Sequence, residues 1–262
     1  MGSKVYEPGD IGQALRDIGV EPGDTVFLHS NLGFFGAPKG VRTADEMCEV
    51  FLKALKEVLG ETGTLVVPVF SYSFCHGEVF DPKTTKSTCG MFPEYVRKQA
   101  GVLRSLDPNF SIAAWGRLAE FYVENPAHES FGEGCFWERF LAQDGKIVCM
   151  NTDAGVTFLH YVERCNRVAY RYNKAFNGTY IDYGGQEHKD YFVHFVYDMD
   201  RPEDESFCEP LDALCRQRKV CRSVDLGKGS VMAMGARAFF DLVSEELKRS
   251  PRFLTCGGYQ PA

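Results

Sequence analysis

The chain has 262 residues, 44% hydrophobic, 25% charged and 13% aromatic, a composition that excludes disordered and fibrous architectures. Its 29 basic and 36 acidic residues leave a net charge of −7, which speaks against nucleic acid as a partner, because phosphate neutralisation needs a clustered excess of Lys and Arg. The longest apolar run, residues 64–70, is interrupted by Pro68 and falls far short of the roughly 20 residues of a bilayer-spanning helix, so no membrane partner is expected. Met1-Gly2-Ser3-Lys4 lacks an apolar leader, and the expected location is cytoplasmic. Ten cysteines are only about 4% of the chain, below a disulfide scaffold. No Cys-x-x-Cys pair and no His-x-x-x-His cluster occur, so no metal is expected.

In chain order, residues 11–18 read as a short amphipathic helix, and Glu21-Pro22-Gly23-Asp24 turns into a buried strand over residues 25–28. Residues 43–59 carry Thr43 with Glu46 three positions on, a capping box, followed by Met47, Val50, Phe51, Ala54, Leu55 and Val58 at helical spacing. A second buried strand over residues 64–70 completes a strand, helix, strand unit of the kind that builds a parallel sheet. Short helices are predicted over 93–100 and 136–142, and strands over 112–116 and 146–150. A helix over 156–165 is expected to be capped by Thr152 or Asp153. Residues 170–183 and 190–196, rich in aromatic and β-branched side chains around Gly184-Gly185, read as an antiparallel hairpin. Helices over 207–219 and 236–249, with a strand over 230–234 between them, close the chain.

Three segments can hold chemistry. His29-Ser30-Asn31-Leu32-Gly33 follows the first strand, where open α/β sheets bind ligands, and its amides and hydroxyls suit phosphate, with Lys39 and Arg42 close behind. A polar turn of no function is an equal reading of that pattern. Arg104-Ser105 and Ser111 flank a turn fixed by Pro108 and offer a guanidinium and two hydroxyls to an anion, although Arg beside Asp107 also reads as a surface pair. His160 and Glu163 stand three apart on a predicted helix and share a face, an imidazole beside a carboxylate as a general base requires. Packed or surface histidines are the commoner outcome of that spacing. Cys135, between Gly134 and Phe136, reads as a buried thiol because no base is placed beside it.

Taken in order, several blocks resemble the aminoglycoside 3-N-acetyltransferase family: His29-Ser30-Asn31-Leu32 with Gly36, Gly63 to Pro68, Phe80-Asp81-Pro82, Gly90 to Glu94, Gly101 to Ser105, Ala113 to Gly116, Gly145-Lys146 and Thr157 to Glu163. The resemblance implies an α/β (α+β) fold, a mixed sheet with flanking helices and an antiparallel C-terminal portion, distinct from the GNAT acetyltransferases and forming one unit over residues 1–262. It implies acetyl-CoA as co-substrate, held by His29, Ser30, Asn31, Leu32, Gly33, Lys39, Arg104, Ser105 and Ser111. It makes His160 the catalytic base, oriented by Glu163, Asp153 or Glu133, and places Tyr72, Glu133 and Arg171 at the acceptor. A homodimer is open to such a chain.

Two departures bear on the acceptor. Ala154 stands six positions before His160, where family members carry an acid, with Asp153 one place off. Gly132-Glu133-Gly134-Cys135-Phe136 replaces a Gly-x-Glu/Asp-Ser-Pro segment. Residues 70–74, 107–111 and 170–174 are similar to relatives from surface-polysaccharide pathways. The expected reaction is therefore acetyl transfer to the amine of a nucleotide-linked amino sugar, with Arg171 and Lys174 facing its diphosphate. An aminoglycoside acceptor is the alternative, and a non-catalytic CoA or nucleotide-binding module the second.

Overall fold

The computed structural model describes residues 5–258; the N-terminal tetrapeptide on which the absence of a leader was read lies outside them. Strands β1 (Thr25–Ser30) and β2 (Thr64–Pro68) are parallel, joined through helix α2 (Ala44–Leu59), as the sequence predicts. The capping box is present: Thr43 Oγ1 accepts from the Glu46 amide at 3.1 Å and Glu46 Oε2 accepts from the Thr43 amide at 3.3 Å. Strand β2 ends at Pro68 rather than residue 70, where the ring removes a ladder donor.

Helix α1 (Pro8–Asp17) precedes β1, and α3 (Met91–Arg97), β3 (Leu103–Arg104), β4 (Ile112–Gly116), α4 (Ala119–Val123) and α5 (Phe136–Ala142) follow β2. Then come β5 (Lys146–Met150), α6 (Phe158–Cys165), the hairpin β6 (Arg171–Ile181) and β7 (Glu187–Tyr197), α7 (Pro210–Gln217), β8 (Cys221–Leu226), β9 (Gly229–Gly235) and α8 (Ala236–Arg249). The main sheet runs β3-β4-β2-β1-β5-β9-β8. Its centre, β2-β1-β5, is parallel, and every other pairing is antiparallel.

The period of two along each strand divides the interior into two cores. Val26 and Leu28 of β1, Leu65 and Val67 of β2, and Val148 and Met150 of β5 meet α1, α2 and α3 on one face. Phe27, Val66, Ile147 and Cys149 meet α5, α6 and α8 on the other. Phe27 is fully buried, with its ring 4.7 Å from Trp137 and 5.5 Å from Phe136; truncation to Ala there costs about 3–5 kcal/mol in a core of this kind.

Helix α3 ends at Arg97 rather than residue 100, and further readings need correction. Helix α6 begins at Phe158 with Thr157 in the cap position, because Asp153 Oδ1 is turned to the Gly155 amide at 2.9 Å and closes a turn upstream. The helix predicted over 207–219 is shorter, starting at Pro210, where the missing N–H costs a first turn nothing. Strand β8, with its half-exposed and exposed polar positions, was not predicted; it joins β9 through Gly227 at φ +55°, a left-handed position that glycine takes without strain. The second hairpin strand starts at Glu187, three residues before the prediction, since its charged residues alternate outward as an open ribbon allows.

The β6-β7 ribbon is separate from the main sheet. It docks through bridges Phe80 to Tyr180 and Glu129 to Val193 and through a small core of Phe74, Phe80 and Phe192. Gly178 permits this approach: a Cβ there would stand 2.4 Å from the Phe74 ring. The ribbon thereby roofs the region beside α6. No helix among the described residues is long and apolar enough to cross a membrane.

Candidate active site

Strand β5 delivers the chain at Met150, and residues 151–157 lead directly into α6, so His160 stands just beyond the carboxyl end of a parallel strand. That is the position where open α/β sheets place ligands. The His160 Nδ1 lies 2.8 Å from Glu163 Oε2. Spacing of three on one helix makes the contact, as the sequence predicts.

Glu163 is 1% exposed and is held from three sides. Tyr170 donates its hydroxyl to Oε1 at 2.8 Å, and Arg171 Nε stands 2.8 Å from Oε2 as an ion pair whose N–H is not aligned for a directed hydrogen bond. Burial raises the carboxyl, but the His160 hydrogen bond, the charges of His160 and Arg171 and the Tyr170 hydroxyl outweigh it, leaving Glu163 below its ordinary value and ionised. An ionised partner requires the proton of neutral His160 on Nδ1. Its Nε2 lone pair is then free, with no protein partner among the described residues.

Two cavities meet at this ring. The larger, about 590 Å³, lies under the ribbon and is lined by Tyr72, Cys75, His194, Lys174, Asp198 and others. The smaller, about 160 Å³, is lined by Val156, Leu159, Cys208 and Leu254 together with Glu163. His160 and Ser206 line both. Ser206 Oγ accepts from Arg171 Nη2 at 2.6 Å, so its own hydroxyl proton is available to a third group. His194, packed 4.4 Å from the Phe110 ring, is lowered to about 3, first by burial and then by the charges of His160, Arg171 and Lys174, and is neutral.

Of the residues singled out from sequence, His160, Glu163, Tyr72 and Arg171 converge here. Tyr72 holds a left-handed φ of 55°, costly for a bulky side chain, with its amide bonded to the Asn109 carbonyl at 3.3 Å and its ring at the cavity wall. Arg171 is not a free cation: it is committed to Glu163, Ser206 and the Phe195 carbonyl. Asp153 and Glu133 are exposed and neither reaches His160, whose partner is Glu163.

The segment after β1 is partly closed. Leu32 to Phe35 wind into one 3-10 turn. His29 Nε2 and Ser30 Oγ are shielded from solvent without partners, Asn31 and Gly33 are exposed, and Lys39 pairs with Glu7 at 2.8 Å. Arg104 departs furthest from expectation. It is 3% exposed, with its guanidinium on Ser111 Oγ at 3.0 Å, on the carbonyls of Val69 at 2.8 Å and Thr85, and over the Phe80 ring. Ser105 Oγ accepts from the Ile112 amide, and Ser111 Oγ donates to the Val69 carbonyl. These three groups brace a turn and present no donor to an open channel. Sequence reasoning missed Tyr170, Ser206, His194, Cys208 and Leu254, which are near His160 only through the tertiary fold.

The class defined by these features is an α/β fold whose mixed sheet places an imidazole, held by a buried carboxylate, between two cavities. The chain belongs to the aminoglycoside 3-N-acetyltransferase family, whose model matches residues 27–248. Aminoglycoside N(3)-acetyltransferase III from Salmonella sp is 30% identical over 175 residues, 58% of this chain and 58% of that protein; the chain thus matches less than two thirds of that relative's length. In fold it is similar to AAC-IIIb in binary complex with CoASH, at TM-score 0.78 and 18% identity, covering 94% of this chain and 97% of that one. It is equally similar to AAC-VIa bound to sisomicin, at TM-score 0.78 and 21% identity, covering 94% and 98%. The fold expected from sequence is the one observed.

Proposed function

We propose that this chain is an acetyl-CoA-dependent N-acetyltransferase whose acceptor is an amine of an aminoglycoside-class amino sugar. The observation that carries the reading is the His160 imidazole, oriented by buried Glu163 with Nε2 free where two cavities meet. Family membership and the CoASH and sisomicin held by two structures of like fold support the choice of substrates.

The chemistry follows from those atoms. A sugar amine is mostly ammonium near neutral pH and cannot attack a thioester until a proton leaves. One proton is lost to solvent before attack, and His160 Nε2 accepts a second as the neutral amine's nitrogen bonds to the acetyl carbon. In this reading the Ser206 hydroxyl, which lines both cavities, donates to the oxygen that becomes negative. Collapse breaks the carbon–sulfur bond, and the departing thiolate takes the proton from His160, leaving CoASH and an amide. Holding both substrates at one ring supplies orientation, the other large contribution to rate.

The nucleotide-linked acceptor expected from sequence has one observation in its favour: the larger cavity is lined by Lys174, whose ammonium lies over the Phe176 ring and forms no ion pair among the described residues, and by a single carboxylate, Asp198. The relatives' names favour the aminoglycoside. The test is thiol release from acetyl-CoA with sisomicin and, in parallel, with an aminodeoxysugar nucleotide, each product checked by mass spectrometry for one added acetyl group. Acetylated sisomicin is the expected result. Release with the nucleotide alone supports the second reading, and release with neither overturns both.

A further inference from the structure

Lys174 stands opposite His194 in the register of the β6-β7 ribbon. With Tyr172 and Phe176, two places to either side, it belongs to the ribbon face that lines the larger cavity. The charges at that cavity nearly cancel. Arg171 is matched by Glu163 at 2.8 Å, and His194 is neutral. Lys174 is opposed by Asp198, the one carboxylate of the lining among the described residues. The aromatic faces that could hold further cations are partly taken by the chain itself: Lys174 Nζ lies 5.1 Å from the Phe176 ring centre and the Arg171 guanidinium 5.7 Å from that of Tyr197.

We propose that Lys174 is a charge filter for the acceptor, selecting against amino sugars that carry many ammonium groups. The inference rests on the transferase reading and narrows the class of acceptor within it. An acceptor with two amines meets the charges of the cavity: the reacting nitrogen gives up its charge beside His160, and Asp198 pairs with the second. Every further ammonium that enters leaves water without a carboxylate to receive it and faces the Lys174 cation. An ion taken from water without a partner binds poorly. Lys174 is exposed and forms no hydrogen bond or ion pair among the described residues, so its charge acts on the ligand rather than on the stability of the fold.

The test measures thiol release from acetyl-CoA by the full chain and by Lys174→Glu and Lys174→Gln. The acceptors are sisomicin, which carries more than two amines, and methyl glucosaminide, which carries one. In Lys174→Glu the ratio of kcat/KM for sisomicin to that for the glucosaminide is expected to rise at least tenfold, through KM rather than kcat, and in Lys174→Gln by a smaller factor. A rise below tenfold in Lys174→Glu, or an equal rise in both variants, overturns the filter. Salt supplies a readout that a change of packing would not move. From low to physiological ionic strength the sisomicin KM of Lys174→Glu is expected to rise, as screening weakens an attraction, and that of the wild type to stay level or fall. A rise of equal steepness in both overturns the assignment. Where an acceptor is not turned over and no ratio can be formed, calorimetry decides: sisomicin binding at least tenfold tighter to Lys174→Glu than to the wild type supports the filter, and a smaller gain overturns it. Release from neither acceptor overturns the transferase reading alone.

Discussion

Arg171, the first residue of the β6-β7 ribbon, stands 2.8 Å from the carboxylate of Glu163 on α6, and both side chains are almost fully buried. The ribbon that roofs the larger cavity is thus tied by a shielded ion pair to the helix that carries His160. Roof and base are set in register by one contact.

Glu163→Gln removes the charge that fixes the His160 tautomer and leaves Arg171 buried beside a neutral amide. The loss of kcat is expected on the order of 10²–10⁴-fold, by analogy with replacing the orienting carboxylate of a catalytic triad, with KM changed far less. Breaking a buried pair from one side costs about 3–5 kcal/mol. Steady-state kinetics and urea unfolding on the same preparation check both effects.

Arg104→Met distinguishes a brace from a phosphate ligand. The substitution leaves the Val69 and Thr85 carbonyls and Ser111 without their charged donor and is expected to destabilise by roughly 3 kcal/mol, with KM for acetyl-CoA altered less than threefold. Full stability with a tenfold rise in that KM assigns Arg104 to the cofactor instead.

Ser206→Ala removes the hydroxyl shared by the two cavities. A fall in kcat of about 10- to 100-fold with little change in unfolding midpoint is expected, below the full effect of an oxyanion donor because Arg171 keeps Glu163. A drop in stability with kcat intact reduces Ser206 to a support for Arg171.

How much was legible in the sequence depended on distance along the chain. The α2 capping box and the His160–Glu163 pair are local, and residue types three apart on a helix report them. Tyr170 and Arg171 completed the site from beyond the end of α6, and Ser206 from 35 residues further along. Arg104 misled because a guanidinium in a turn reads the same whether it faces solvent or three internal acceptors. Strand β8 escaped because its inward and outward positions are alike in polarity, as befits an edge.

Acidification is expected to weaken the fold before it protonates Glu163. His29 is lowered to about 4 by burial and His194 to about 3, first by burial. Below the ordinary value near 6.5 the unfolded chain takes up protons that the folded chain refuses, so stability is lost as pH falls from there toward the folded values, by at most about 1.4 kcal/mol per pH unit for each histidine. Glu163 has the same sign from the opposite cause: its folded value is depressed because the ionised form is held, so its contribution, full above the ordinary carboxylate range, is lost as pH falls from there through the folded value. Urea unfolding at steps from pH 7 to pH 4 checks the slope, and His194→Gln is expected to flatten it.

The most direct measurement is the single-turnover rate of acetyl transfer to sisomicin by the wild-type chain and by His160→Gln, with CoA affinity determined by calorimetry on both. A rate lowered by about 10²–10⁴-fold at CoA affinity within threefold of wild type is the predicted result. A His160→Gln protein that binds CoA and transfers acetyl within tenfold of the wild-type rate contradicts the assignment of His160 as the base.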